Sequence, residues 1–270
     1  MAERLDVAQR LAEGRPAVEH TQSYMRACRL LGYEHPDLTS HPAQIRDWYD
    51  SEDGLDLRAL DGDCAQLRAA AAAVMEALRM QRAQVDELAA AWSGPGAESA
   101  VQFLQRHCDA ANTAATEVRA AAQRCESLRD NLWHLVDVKV ATAIAIDDRT
   151  LAHRPAWLAA ADTVTTGVGD RQTADELVQQ QIKPHVDNDI RTDRLSAMRS
   201  TQAGVAASYD MVIDRFSAAA PAYFGIPDEL RTGRAPFQPA PASALEATAA
   251  LAPAAAFPQP RRRPCAGRRP

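Results

Sequence analysis

Residues 57–100 read LRALDGDCAQLRAAAAAVMEALRMQRAQVDELAAAWSGPGAESA, and this stretch decides the fold. Set out in heptads, it places Leu60, Leu67, Val74, Gln81 and Leu88 at one core position and Cys64, Ala71, Leu78, Val85 and Trp92 at the other. Only Gln81 interrupts the apolar seam. Alternating steps of three and four residues keep one stripe of a helix turned towards a partner. At 1.5 Å per residue, a helix of about 35 residues is about 50 Å long, too long for an isolated surface helix and suited to one arm of a hairpin. The string WSGPG then stops it. Gly94 and Gly96 tolerate positive φ, while Pro95 cannot extend the preceding helix but fits the first turn of the next. Glu98 falls where the positive end of that second helix favours a carboxylate.

Beyond the turn the pattern resumes as Val101, Leu104, Cys108, Ala111, Ala115, Val118, Ala122, Cys125, Leu132, Val136, Ala143 and Ile146, skipping Arg129 and Lys139. Two long amphipathic arms joined by a tight turn predict an antiparallel helical hairpin, and its alanines allow close interhelical approach. Residues 1–50 read as short helices and turns, with Pro36 and Pro42 bracketing a loop that carries His35 and His41. Residues 151–230 form a second helical segment that packs on the hairpin of residues 51–150. It contains a helix around Trp157 to Asp162, a turn at Gly167 and Gly169, a helix cap at Thr173 with Glu176 three residues on, and a kink before Pro184. Residues 231–270, rich in Pro, Ala and Arg, read as a disordered tail. The expected class is therefore all-α, a long hairpin extended into a helical bundle.

The composition is consistent with this: 46% hydrophobic and 24% charged, with only 5% aromatic, suits Ala-rich helices better than a core of large rings. No apolar run reaches the roughly 20 residues of a membrane-spanning helix, and MAERLDVAQR lacks the apolar core of a Sec-type signal. The net charge of −6 is uneven. Residues 231–270 hold seven Arg against one acid, Glu246, a local +6; the residues before them hold 23 basic and 35 acidic side chains, or −12. An acidic body disfavours nucleic acid as a partner, because phosphate binding draws on clustered Lys and Arg. The tail cluster Arg261 to Arg263 with Arg268 and Arg269 contains no aromatic side chain for stacking.

No catalytic, cofactor or metal motif is legible. Nucleophile elbow, HExxH helix, Walker loop and dinucleotide fingerprint are all missing. The acidic run Asp47, Asp50, Glu52, Asp53 and Asp56 reads as a solvated loop, because a calcium loop centred on Gly54 would begin at Tyr49. Cys28, Cys64, Cys108, Cys125 and Cys265 have no metal-like spacing and read mostly as buried small hydrophobes. His107 and His134 have no ligand partner one turn away, and Asp147 and Asp148 have no identifiable carboxylate partner.

Trp92-Ser93-Gly94 coincides with both the helix stop and the end of the heptad seam. Over residues 50–150 the chain resembles the WXG superfamily of type VII (ESX) secretion substrates and associated proteins of actinobacteria, mycobacteria above all, in which small leaderless hairpins carry W-x-G between their arms. The length makes a larger, Esp-like secretion-associated protein the closer analogy. The resemblance implies a non-enzymatic interaction protein, secreted or at the cell surface, whose turn motif Trp92, Ser93 and Gly94 meets a helical partner, a second copy or the secretion machinery. The seam expected to carry the packing is Leu60, Leu67, Val74, Leu78, Val85 and Leu88 on the first arm with Val101, Leu104, Val118, Leu132 and Val136 on the second. One feature departs from the family. The Y-x-x-x-D/E export signal expected just after the second arm is missing, since no Tyr lies between Ile146 and Asp175. Tyr33 to Asp37 and Tyr49 to Asp53 have the spacing but precede the W-x-G. A cytoplasmic scaffold or secretion chaperone is the alternative, and a targeting module of an enzyme or toxin a third.

Overall fold

The computed structural model describes residues 3–219 and 221–226, so the expected tail at 231–270 lies outside the described residues. All regular elements among the described residues are helical, as the heptad pattern predicts. Helix α1, Val7–Leu30, begins where the Asp6 carboxylate accepts the Gln9 N–H at 2.9 Å. The expectation of short helices in residues 1–50 is corrected here, because α1 is 24 residues long and runs straight through Pro16. Pro16 lies on the solvent side, where the carbonyl that loses its in-helix donor can turn to water. A loop then leads to α2, Gln44–Tyr49, which tightens into a 3₁₀ turn at Asp50–Glu52.

Helices α3, Leu57–Ala91, and α4, Pro95–Asp148, form the hairpin and are 35 and 54 residues long. The Asp56 carboxylate caps α3 by accepting the Ala59 N–H at 2.9 Å. Helix α3 packs chiefly on α4, whereas the second half of α4 also receives α1 and α8. Helix α5, Arg154–Thr166, follows, and the turn at Gly167 and Gly169 falls where the sequence placed it. The cap of α6, Arg171–Leu177, is Asp170 and not Thr173. Asp170 is charged and has two acceptor oxygens, which take the Thr173 N–H and the Thr173 hydroxyl.

Around Pro184 the chain neither breaks nor continues as ordinary helix. Residues Val178–Ile182 form a π-helix, Lys183–His185 one α-turn (α7), Val186–Arg194 a second π-helix, and α8, Leu195–Ser217, completes the run. Proline supplies no N–H and crowds the carbonyl four residues back; the wider π turns accommodate both faults without a sharp bend.

The main core gathers Leu11, Val18, Tyr24 and Met25 of α1, Leu132, Val136 and Val140 of α4, Trp157 of α5, and Ile182, Val186 and Ile190 of the π segments. Gly14 is required in α1 because a Cβ there would collide with the Tyr49 hydroxyl, which donates to the Leu11 carbonyl at 2.8 Å. The acidic run is not uniformly solvated. Glu52 turns inward and pairs with Lys139, a residue that the apolar pattern skipped and that is only 1% exposed. The Lys139 ammonium also donates to Ser51 Oγ and to the Trp48 carbonyl, each at 3.1 Å. Burial pulls its pKa below the ordinary lysine range, against the opposing pull of Glu52.

Candidate functional site

The hairpin arm is built on a narrow seam. In α3 the buried residues are Leu57, Cys64, Ala71, Leu78 and Val85, each seven residues from the last. Along the facing arm of α4 the buried residues are Ala97, Cys108, Ala115 and Ala122, small side chains that allow close approach of the two helices. Of the seam residues expected from the sequence, Leu78 and Val85 are buried in the arm, with Val101 and Leu104 packed against them and Cys108. Val118 is half-buried. Leu132 and Val136 are buried too, but in the main core. The other heptad position is only partly used: Leu60, Leu67 and Leu88 are half-buried and Val74 is exposed. The second position thus seals the hairpin, while the first lines a flank of it.

At the tip, Trp92 leaves the helix in an extended conformation while its own N–H still donates to the Leu88 carbonyl at 3.0 Å. Gly94 then adopts φ 107°, which an L side chain rarely takes, and its carbonyl accepts the Glu98 N–H at 3.0 Å to open α4 with Pro95 in the first turn. The indole ring lies over Gly96, whose Cβ, were there one, would stand 3.6 Å from Trp92 Cζ2. The edge of the ring at Cζ2 is covered in this way, yet Trp92 remains 47% exposed. No described residue accepts a hydrogen bond from its indole N–H. Ser93 is exposed, and Gly94 is half-buried.

Several polar groups of the body are engaged with one another. The Asp147 carboxylate binds His20 Nδ1 at 3.0 Å and Arg154 at 2.8 Å, partners that lie too far along the chain for local spacing to find. His185 pairs with Asp189 at 2.7 Å, and Asp189 in turn with Arg149. Arg194 is 2% exposed and donates to Thr21 Oγ1 at 2.7 Å, and burial pulls its pKa down to about 10. His153 stacks on Trp157, and Asp175 binds Arg171 on its own helix at 2.7 Å. His107 rests against Phe103 and Phe224, and His134 is exposed. Cys28, Cys64 and Cys108 are buried and Cys125 half-buried, all as free thiols, while Cys265 lies outside the described residues. Among the described residues no three His, Cys, Asp or Glu side chains are grouped to hold a metal ion. None of the described helices is long and apolar enough to cross a membrane.

Both early Tyr-x-x-x-Asp stretches have their tyrosines covered by the fold. Tyr49 is completely buried, and Tyr33 sits half-buried beneath the Lys183 ammonium while Asp37 pairs with Arg199. No protein-family model, no curated protein and no solved structure matches this chain.

Proposed function

We propose that the protein is a non-enzymatic helical interaction protein of the type VII secretion kind, which binds a partner helix or a second copy of itself through the tip and exposed flank of its hairpin. The observation that carries this reading is Trp92, a large ring left 47% exposed within W-S-G at the turn between two long antiparallel helices. An exposed tryptophan held against its own backbone turn presents a large apolar surface at little entropic cost, and its free N–H is available for an acceptor on the partner. Val74 and the half-buried Leu67 and Leu88 extend the same apolar flank down the arm. The pairing of His20 with Asp147 and of His185 with Asp189 favours a binding role over catalysis, since a working acid or base must face a substrate.

Leaderless export, alone or with a partner carrying the signal, is the compartment this reading implies. The test is quantitative mass spectrometry of culture filtrate and cell pellet, with and without a functional type VII apparatus, for the wild type and Trp92→Ala. Apparatus-dependent appearance in the filtrate, lost in the variant, is the expected result. Retention of the wild type in the pellet under both conditions defeats the export reading. The buried Tyr49 and the covered Tyr33 favour a second reading, an intracellular scaffold or chaperone that holds a client helix on the same arm. Retention with a helical client captured through Trp92 is its signature.

A further inference from the structure

A second surface, away from the arm, lies where the outer face of α1 meets the loop before α2. Two adjoining grooves of about 360 and 620 Å³ share Gln22, Arg26 and Pro42. Arg46 lines the first, and Arg29 and Leu30 line the second. The wall is held in place by Gln22, whose amide donates to the Pro42 carbonyl at 2.6 Å. Most arginines of the body are engaged: Arg10, Arg15, Arg149, Arg154 and Arg199 each pair with a carboxylate. Arg26, Arg29 and Arg46 pair with none among the described residues, and the only carboxylate lining either groove is Glu19. A chain whose first 230 residues carry −12 thus keeps three uncompensated guanidinium groups along one groove.

The shape and lining of the groove narrow the choice of occupant. Its side chains on α1 run from Glu19 to Leu30, about 16 Å at 1.5 Å per residue, so the cations are strung along a track and do not converge on a single small anion. Leu30 is 56% exposed beside them, with buried Met25 and Leu38 beneath, an apolar lining that a phosphate group has no use for. No Phe, Tyr or Trp lines either groove for a base to stack on, the one ring there, His41, is paired with Asp47 at 3.5 Å, and a long polyanion would meet the acidic body around it. The chain's own residues 231–270 carry +6, the same sign as the groove.

We propose that this groove docks an acidic amphipathic segment of a partner protein, with carboxylates paired to Arg26, Arg29 and Arg46 and an apolar side chain set on Leu30. Guanidinium groups suit this role because their planar donor fork matches a carboxylate two bonds at a time. The site is independent of the hairpin tip, and a partner engaged at both would gain avidity from the second contact.

The full chain is titrated against a fluorescein-labelled 14-residue peptide of Glu and Leu, at low and at physiological salt. Expected is saturable binding that weakens with salt, falls at least tenfold in Arg26→Glu with Arg29→Glu, and falls several-fold in Leu30→Ser. Arg119→Glu with Arg215→Glu, a charge reversal at exposed arginines elsewhere, and Trp92→Ala should leave it unchanged, with circular dichroism verifying that every variant folds. Absence of saturable binding overturns the proposal, as does equal loss in the Arg119/Arg215 control. An all-Glu peptide, inorganic phosphate or a thymidine oligonucleotide binding as tightly as the Glu/Leu peptide also overturns it, by reassigning the groove to simple anions.

Discussion

The two halves of α4 share one helix and one apolar periodicity, yet they are buried in different ways. From Pro95 to Cys125 the buried residues are Ala97, Cys108, Ala115 and Ala122, all small. From Leu128 to Asp147 they are Leu128, Leu132, Val136, Lys139, Val140, Ala143, Ile146 and Asp147, mostly large and spaced so closely that they cover several faces of the helix. The first half packs chiefly on α3, with the end of α8 reaching it where Arg124 lies under Phe216, and the second belongs to a bundle closed by α1, α8 and the π segments. An arm of this kind draws its stability from helix propensity and a thin seam, whereas the body draws it from buried apolar volume. A surface meant for a partner is better placed on the thin structure, since its apolar flank has no competing neighbour in the chain.

The sharpest way to test the body side of this contrast is Lys139. Removing one partner of a buried ion pair strands the other, so Lys139→Met, which leaves Glu52 buried and charged, should cost about 3–5 kcal/mol in urea denaturation. Replacing both, Lys139→Met with Glu52→Leu, should recover most of that loss. A double variant as weak as the single one would mean that Ser51 and the Trp48 carbonyl, not the ion pair, set the requirement for Lys139.

Paired truncations compare the halves directly. Leu132, completely buried in the body, should cost about 3 kcal/mol when cut to Ala, a typical large-to-small core loss. Leu78, buried in the arm with one neighbouring helix, should cost about half as much on the same scale, because water reaches the trimmed seam and no closed cavity forms. Hydrogen exchange should report the difference in the wild type too, with slower exchange at residues 128–147 than at residues 74–120. Equal costs for Leu78→Ala and Leu132→Ala would make the arm and the body one cooperative unit.

Periodicity was enough to read the arm from the amino acids, and not enough to read the body. The heptads from Leu60 to Leu88, the stop at Gly94 and the start at Pro95 are local signals, and the hairpin follows from them. They name both seam positions but not which one is sealed, because that depends on how far two Ala-rich helices rotate as they close. Lys139 was passed over for being charged, since its partner Glu52 lies 87 residues away in a stretch that looks like solvated loop. Arg194 and Asp147 were hidden for the same reason: their partners Thr21 and His20 belong to α1. The π segments on either side of Pro184 have no distinctive sequence of their own, and the proline signalled only that something must yield. At the candidate site, Trp92 was legible as a motif, but its exposure depends on the position of Gly96 across the turn.

A pH experiment carries the comparison to a buried thiol of the body. Burial pushes the Cys28 pKa from 9.0 up to about 12, with Lys183 pulling it down and Asp187 pushing it up. A thiol whose folded value is raised contributes stability that is whole below 9 and is lost as pH rises towards 12, because the unfolded chain sheds the proton first. Lys139, lowered in the fold, works in the opposite sense over the same alkaline range. The difference between wild type and Cys28→Ala therefore isolates the thiol: between pH 9 and 10 the wild type should lose about 1 kcal/mol that the variant keeps. Parallel slopes in thermal melts would mean that water reaches Cys28.

The smallest effect on stability is expected at the residue with the largest proposed role in binding. Trp92 approaches Gly96 through Cζ2 and remains 47% exposed, so Trp92→Ala removes little buried area and should cost under about 1 kcal/mol in the isolated chain, against about 3 kcal/mol or more for a buried ring. In the presence of its partner the same substitution should weaken association by tenfold or more, the scale of an interface tryptophan. Hydrophobic surface that a folded chain leaves open is cheap to remove alone and costly to remove in a complex. A loss of stability in the isolated chain as large as that of Leu132→Ala would show that the ring plugs its own hairpin, and the proposed interaction surface would then have to lie on the Val74 to Leu88 flank without it.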